Sequence, residues 1–284
     1  MRNWSQFLES LRVVRSIDVM LLIGMIVLFC ITTACAALTY RLLAFRRAPY
    51  KAFYLVELAA AGINRLLPSG VGSMGLHGVF LHRRKHTVPE AVAVVSTNNA
   101  LGLVTHLFLL ASIVMLDASS FESFRLKLPG WLPVVVLSAV VIVAVFMLVP
   151  ATQQRVAAFL GNFWKSIRRY GNRPWHVVGA AASSLGITII NVLIFAIGAH
   201  AVGISASGIE LFLVYTVGVL FGSVTPTPGG LGGVEAGLMA GLVAKGVPVT
   251  QALAAALTFR LATYWFPMIA GTVAFFAARS RKLV

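Results

Sequence analysis

Four ionisable side chains lie inside apolar stretches of this sequence: Glu57, Arg65, Glu235 and Arg260. A charge in hydrocarbon costs several kcal/mol unless it is paired or wetted, so each is a candidate site residue. Arg65 belongs to NRLLPSGVG, Asn64 to Gly72, and Glu57 lies two helical turns before it on a similar face. Glu235 closes PTPGGLGGVE, Pro226 to Glu235, and Arg260 sits in the apolar stretch that follows. Proline removes an amide donor and opposes helix continuation, while glycine lets backbones approach closely. Pro68, Gly70 and Gly72 in the first segment, and Pro226, Pro228, Gly229, Gly230 and Gly232 in the second, therefore break their helices. In a bilayer such irregular backbone survives only where protein or a water-filled cavity surrounds it. Two guanidinium groups beside exposed backbone N–H groups would suit an anionic lipid headgroup. The competing reading is structural, with Glu235 and Arg260 neutralising each other inside the fold.

Other constellations carry less. His77, His82, His86 and His106 have no metal-type arrangement: His82 and His86 flank a loop of like charge, and the other two lack partners. No metal or cofactor is expected. The Gly229 to Gly233 run is not followed by Gly-Lys-Ser/Thr, which argues against a phosphate-binding loop. Asn64, Asn98, Asn99 and Asn191 are polar residues of the kind that hydrogen-bond between membrane helices. No nucleophile stands at a convincing spacing from a base, and the last apolar segment ends just before Val284, so neither membrane-embedded catalysis nor a soluble catalytic domain is expected.

The elements that must hold these residues are membrane helices. The chain of 284 residues is 59% hydrophobic and 11% charged, with a mean hydropathy of +0.90, against about 25% charged residues in a soluble domain. The net charge of +15 comes from short basic runs between apolar segments, which suits membrane orientation and anionic lipid rather than nucleic acid. Five segments are long enough to span a membrane: Asp18 to Tyr40, Val88 to Leu116, Trp131 to Pro150, His176 to Gly203 and Thr250 to Ala278. Residues 1–17 alternate aromatic and basic side chains like an interfacial helix, 18–278 form one transmembrane domain, and 279–284 a short basic tail on the cytoplasmic side.

Two regions, Ala52 to Leu81 and Gly208 to Ala244, have arms too short for full crossings and are expected to form hairpins that enter and leave on one face. At an offset of 160 positions Pro68, Gly70, Gly72 and Lys85 fall on Pro228, Gly230, Gly232 and Lys245. Three spans lie between the hairpins, an odd number, so the second copy would face the opposite way. The expected fold is thus an all-α polytopic bundle of two inverted repeats, each a Pro/Gly-broken hairpin plus a long transmembrane helix. In that topology fifteen of the 23 lysines and arginines fall on one side, six on the other, and Arg65 and Arg260 inside. The positive-inside rule makes the richer side cytoplasmic.

PTPGGLGGVE, FRLATYWFPMIAG at Phe259 to Gly271, and NRLLPSGVG together resemble the lysylphosphatidylglycerol synthase transmembrane-region family, also called flippase-like proteins. The resemblance runs from about Asp18 to Ala278 and covers only the membrane part of the two-domain synthases. It implies a multi-pass protein of the bacterial or archaeal cytoplasmic membrane that moves a polar headgroup between leaflets. The substrate would be a phospholipid, anionic or aminoacylated, or a polyprenyl-linked lipid. Glu235 and Arg260 match the family's pattern. The first motif departs from it: relatives commonly place a carboxylate after the second glycine, where Ser73 and Met74 stand here. The rival expectation is a non-transporting assembly or regulatory subunit with an envelope-biosynthesis partner.

Overall fold

The computed structural model describes residues 9–10, 14, 17–67, 71–116, 164–165 and 167–284. They are helical, and the chain is an all-helical integral membrane protein. Helix α1 is Val19–Leu43, α2 Tyr50–Leu66, α3 Val71–Arg83, α4 Val88–Leu116, α5 Pro174–Ala201, α6 Gly208–Val224, α7 Gly233–Ala244, α8 Val249–Arg260 and α9 Phe266–Ser280. A π-helical turn, Leu261–Trp265, joins α8 to α9. Among the described residues four stretches are long and apolar enough to cross a membrane: α1, Val88–Ile113 of α4, α5, and the continuous Val249–Ser280. They match four of the five expected spans to within a few residues. The fifth, Trp131 to Pro150, lies outside the described residues, as do Pro68, Gly70 and most of the N-terminal segment.

Helix starts are written locally. Asp18 caps α1 through its carboxylate and the Met20 N–H, 2.9 Å apart. Thr87 with Glu90 and Ser207 with Glu210 form capping boxes at α4 and α6, each satisfying amides that a helix start leaves free.

Helices α2 and α3 form one antiparallel hairpin, and α6 and α7 a second. Phe53 meets Phe80 edge to face at 5.0 Å, Glu57 lies 2.8 Å from His77, and Gly72 packs on Ile63. In the second hairpin Gly241 packs on Val214, Gly237 on Val217 and Gly233 on Phe221. Adding 160 to Glu57 and His77 gives Val217 and Gly237, so the two hairpins pair in the same register. Each leads into a long helix, α4 in one case and α8–α9 in the other.

The hairpins open toward opposite ends of the bundle. The base of the first lies at the end where Tyr170 O–H donates to the Leu43 carbonyl (2.8 Å) and Arg169 pairs with Glu90. The base of the second lies at the other end, where Lys245 stands 3.3 Å from Glu210 beyond the α5 terminus. The tip of the second meets the end of α2 inside, Gly229 packing against Arg65 and Tyr264.

Lipid is as apolar as leucine, so close backbone approach holds such a bundle together more than hydrophobic burial. Gly62 of α2 and Gly271 of α9 meet backbone to backbone, and a Cβ on Gly271 would come within 2.5 Å of the Leu58 carbonyl oxygen. Helix α8 buries Ala252, Ala254, Ala255 and Ala256 completely.

His86 fastens the basic end. Its Nδ1–H donates to the Leu81 carbonyl (3.1 Å), and Nε2 accepts from the N–H groups of Phe45 (3.2 Å) and Arg46 (3.3 Å), which requires the neutral ring. Burial holds its pKa below the usual histidine value, with the Arg46 charge acting the same way. The neutral form is favoured in the fold, so this contribution is complete above about pH 6.5 and is lost as pH falls below it. Amide exchange at Phe45 and Arg46 should therefore accelerate relative to intrinsic rates between pH 7.5 and 5.5, and the pH dependence should vanish in His86→Gln. Gly271→Ala should separate α2 from α9 and lower stability by about 1–3 kcal/mol, measured by thermal unfolding in detergent; an unchanged Tm would show that the crossing is not tight.

Candidate functional site

The second glycine segment is a wound turn. Gly229, Gly230 and Gly232 have φ of 59°, 66° and 81°, the left-handed region glycine occupies without strain. Gly229 needs glycine twice over, since a Cβ there would stand 2.6 Å from the Tyr264 ring. The turn is closed by Gly230 N–H donating to the Thr227 carbonyl (3.1 Å) and Thr227 Oγ1 donating to Leu231 (2.7 Å).

Glu235 stands in the first turn of α7 and does two things. One oxygen accepts the Gly232 N–H at 2.8 Å, and the other accepts Arg260 Nε–H at 2.7 Å. Arg260, 5% exposed, also donates from Nη2 to the Gly229 carbonyl at 3.0 Å and lies 4.4 Å above the Tyr264 ring. The guanidinium thereby binds a carboxylate, a carbonyl and an aromatic face. This is the neutralising pair weighed from sequence, and it staples the second hairpin's tip to the last span.

Arg65 is placed differently. Pro267 has no N–H, so the carbonyl four residues earlier, on Thr263, lacks its helical donor. Arg65 Nη2 donates to that carbonyl at 2.7 Å, and Nη1 to Ala61 at 3.1 Å. Tyr264 O–H returns a hydrogen bond to the Arg65 carbonyl at 3.2 Å. Among the described residues no carboxylate forms an ion pair with Arg65.

Two cavities flank it. One of about 160 Å³ is bounded by Arg65, Asn191, Tyr215, Phe259, Arg260 and Thr263. The other, about 190 Å³, is bounded by Glu57, Asn64, Arg65, Ser73, Thr33 and Asn191, among others. Asn64 Oδ1 is buried there and accepts no hydrogen bond from the described protein groups. The chemistry on offer is a fixed cation between two polar pockets.

The fold brings together Arg65, Arg260, Glu235 and Gly229, and keeps Gly72 for helix packing against Ile63. Pro68 and Gly70 lie outside the described residues. Glu57 shares the larger cavity with Arg65 but is paired with His77, itself stacked on Tyr40 at 3.8 Å. His106 contacts Thr216 at 3.2 Å, and His82 Nδ1 lies 3.3 Å from the His86 carbonyl. Among the described residues no group of three or more His, Cys, Asp or Glu side chains is arranged to hold a metal. Sequence reasoning missed Thr263, Tyr264 and the weight of Asn191, although Pro267 already signalled a free carbonyl at Thr263.

Residues 2–271 match a family model described as the lysylphosphatidylglycerol synthase TM region. The chain belongs to that family. The matched residues of this family member include both hairpins, Arg65, Glu235 and Arg260. The chain is also similar to a UPF0104 membrane protein of Methanothermobacter thermautotrophicus, 34% identical over 92 residues. Those residues are 32% of this chain and 26% of that protein, so the match spans about a quarter of the relative's length.

Arg260→Met alone leaves Glu235, whose side chain is 16% exposed, without its partner and should cost about 3 kcal/mol. Arg260→Met combined with Glu235→Leu should regain most of that loss, short of about 1 kcal/mol for the missing cap at Gly232. Thermal unfolding of the set in detergent checks this; a single variant as stable as wild type would remove the structural role of the pair.

Proposed function

We propose that this family member is a translocase that moves the polar headgroup of a phospholipid or polyprenyl-linked lipid between leaflets of a bacterial or archaeal cytoplasmic membrane. The observation that carries the reading is Arg65, a cation with no carboxylate partner among the described residues, where two hairpins from opposite ends of the bundle meet. A phosphate or carboxylate would bind its guanidinium, with Asn64 and Asn191 taking the remaining polar atoms of the headgroup. Two hairpins in equal register, opening to opposite ends, support an inverted repeat in which each tip gates one side of the cavities. On this reading the hairpins are re-entrant, the basic end is cytoplasmic, and the acyl chains stay in lipid while the headgroup crosses. The protein then acts by binding and movement rather than catalysis.

One observation favours a second reading, a non-transporting subunit in an envelope pathway that works beside another protein. Arg260 is fully engaged by Glu235, Gly229 and Tyr264, which is what packing alone would ask of it. Arg65 separates the two readings. Arg65→Gln keeps an amide donor for the Thr263 carbonyl and removes the charge, so it should fold normally and lose transport by about tenfold or more. The assay is quencher access to inner-leaflet label in proteoliposomes carrying fluorescent anionic, aminoacylated or polyprenyl-linked lipids. Background signals from folded wild type with every lipid would sink the translocase and leave the subunit reading.

A further inference from the structure

A larger cleft lies at the basic end, away from Arg65. Its volume is about 620 Å³, and its walls include Arg41, Arg46, Arg47, Arg173 and His176 over the apolar side chains of Leu38 and Phe45. Residues 41–47 follow α1, and Arg173 and His176 open α5; the antiparallel packing of α1 on α5 brings these distant segments together.

The cations are in excess at this end among the described residues, with Arg46 alone of the four within electrostatic reach of Glu90. None of these four arginines takes part in an ion pair among the described residues. Glu90, the carboxylate at this end, is occupied by Arg169 and the Thr87 N–H. Arg41, Arg46, Arg47, Arg173 and His176 are all exposed. The start of α5, a helix of 28 residues, also points here with no side-chain cap and no acidic residue in its first turn. Its positive dipole end adds to the same potential, although Pro174 has no N–H and the N–H groups of His176 and Val177 already donate to the Arg173 carbonyl.

The floor is rigid. His86 holds the backbone of Phe45 and Arg46, Tyr170 holds the Leu43 carbonyl, and Ala44 N–H bonds to Tyr40. Guanidinium groups on a fixed loop lose less freedom on binding than the same groups on a loose one. Apolar surface adjoins the cleft: Leu38 of its wall is 37% exposed, and Trp175 and Val178, neighbours of Arg173 and His176 on α5, are 82% and 55% exposed. An aromatic ring beside basic residues is the pattern of a membrane interface, and basic pockets between helices at that level take phosphate headgroups.

We propose that this cleft binds a phosphate-bearing anion at the membrane interface, held by Arg41, Arg46, Arg47 and Arg173, with the apolar edge placed to accept acyl chains when the phosphate is lipid-borne. The site is separate from Arg65 and stands whether or not the protein moves lipid.

The test is lipid retention by native mass spectrometry of purified full-length protein with added cardiolipin or phosphatidylcholine, and with inorganic pyrophosphate as a soluble competitor. The cleft variant is Arg41→Gln/Arg47→Gln/Arg173→Gln. The control, Arg279→Gln/Arg281→Gln/Lys282→Gln, removes equal charge from the same end outside the cleft. Wild type should retain cardiolipin over phosphatidylcholine, the cleft variant should lose it by roughly a hundredfold at about fivefold per arginine, and the control should change by less than about fivefold. Equal losses in both triple variants, or no preference in wild type, would overturn the site. Displacement of cardiolipin by micromolar pyrophosphate would support the site with a soluble phosphate as its ligand; failure to displace at millimolar concentration would support a lipid ligand. Each altered side chain is exposed, and Arg47→Gln/Arg173→Gln, with about a 25-fold expected loss, repeats the test should the triple variant unfold.

Discussion

The carboxylate of Glu235 is shared between the start of a helix and a buried guanidinium, and the centre of the bundle is arranged around that sharing. It accepts the Gly232 N–H, which fixes where α7 begins, and Arg260 Nε–H, which fixes how α7 sits against the last span. Arg260 then holds the Gly229 carbonyl and the Tyr264 ring, and Tyr264 reaches the Arg65 carbonyl. One ion pair therefore sets the position of the second hairpin's tip against the end of α2. Among the described residues it leaves the second arginine, Arg65, to be held by the backbone carbonyls of Ala61 and Thr263, with no carboxylate in direct contact.

The scarcity of acids gives this economy a wider reach. The sequence has eight, and Asp18, Glu90, Glu210 and Glu235 all stand at helix starts. Three of these four also meet a basic side chain: Arg169, Lys245 and Arg260. Half of the acidic side chains thus serve helix starts, where they satisfy free amides and complement the positive end of the dipole. The basic side chains outnumber these partners by far, which leaves an excess of positive charge at one end of the bundle.

Much of this was legible in the sequence, for particular reasons. Long apolar runs have few ways to satisfy their backbone in lipid, so the four described spans follow from length and hydropathy. Pro228 and the glycines after it mark a helix break, and from sequence the pairing of Glu235 with Arg260 is one of two readings. The register shared by the two hairpins could be suspected from an offset but not demonstrated, because glycine matches occur easily by chance. Contacts made across the chain were out of reach. Nothing near Glu57 announces His77, since their pairing depends on the hairpin register, and nothing near Arg41 announces Arg173. Thr263 is the intermediate case: Pro267 predicts a carbonyl without its donor, but only the fold reveals that Arg65 supplies one.

The meeting of Gly62 with Gly271 has one more consequence. Where two helices touch through backbone alone, no rotamer is frozen on association and no knob must leave a hole before the helices can turn on each other. Such a crossing resists separation while offering little resistance to rotation, as a bearing does. The first hairpin is joined to the last span at such a bearing, on the same helix that carries Arg65 at its end. A small rocking of α2 about that point would swing the distant Tyr50 end of the helix while leaving the guanidinium, one turn from the pivot, nearly in place.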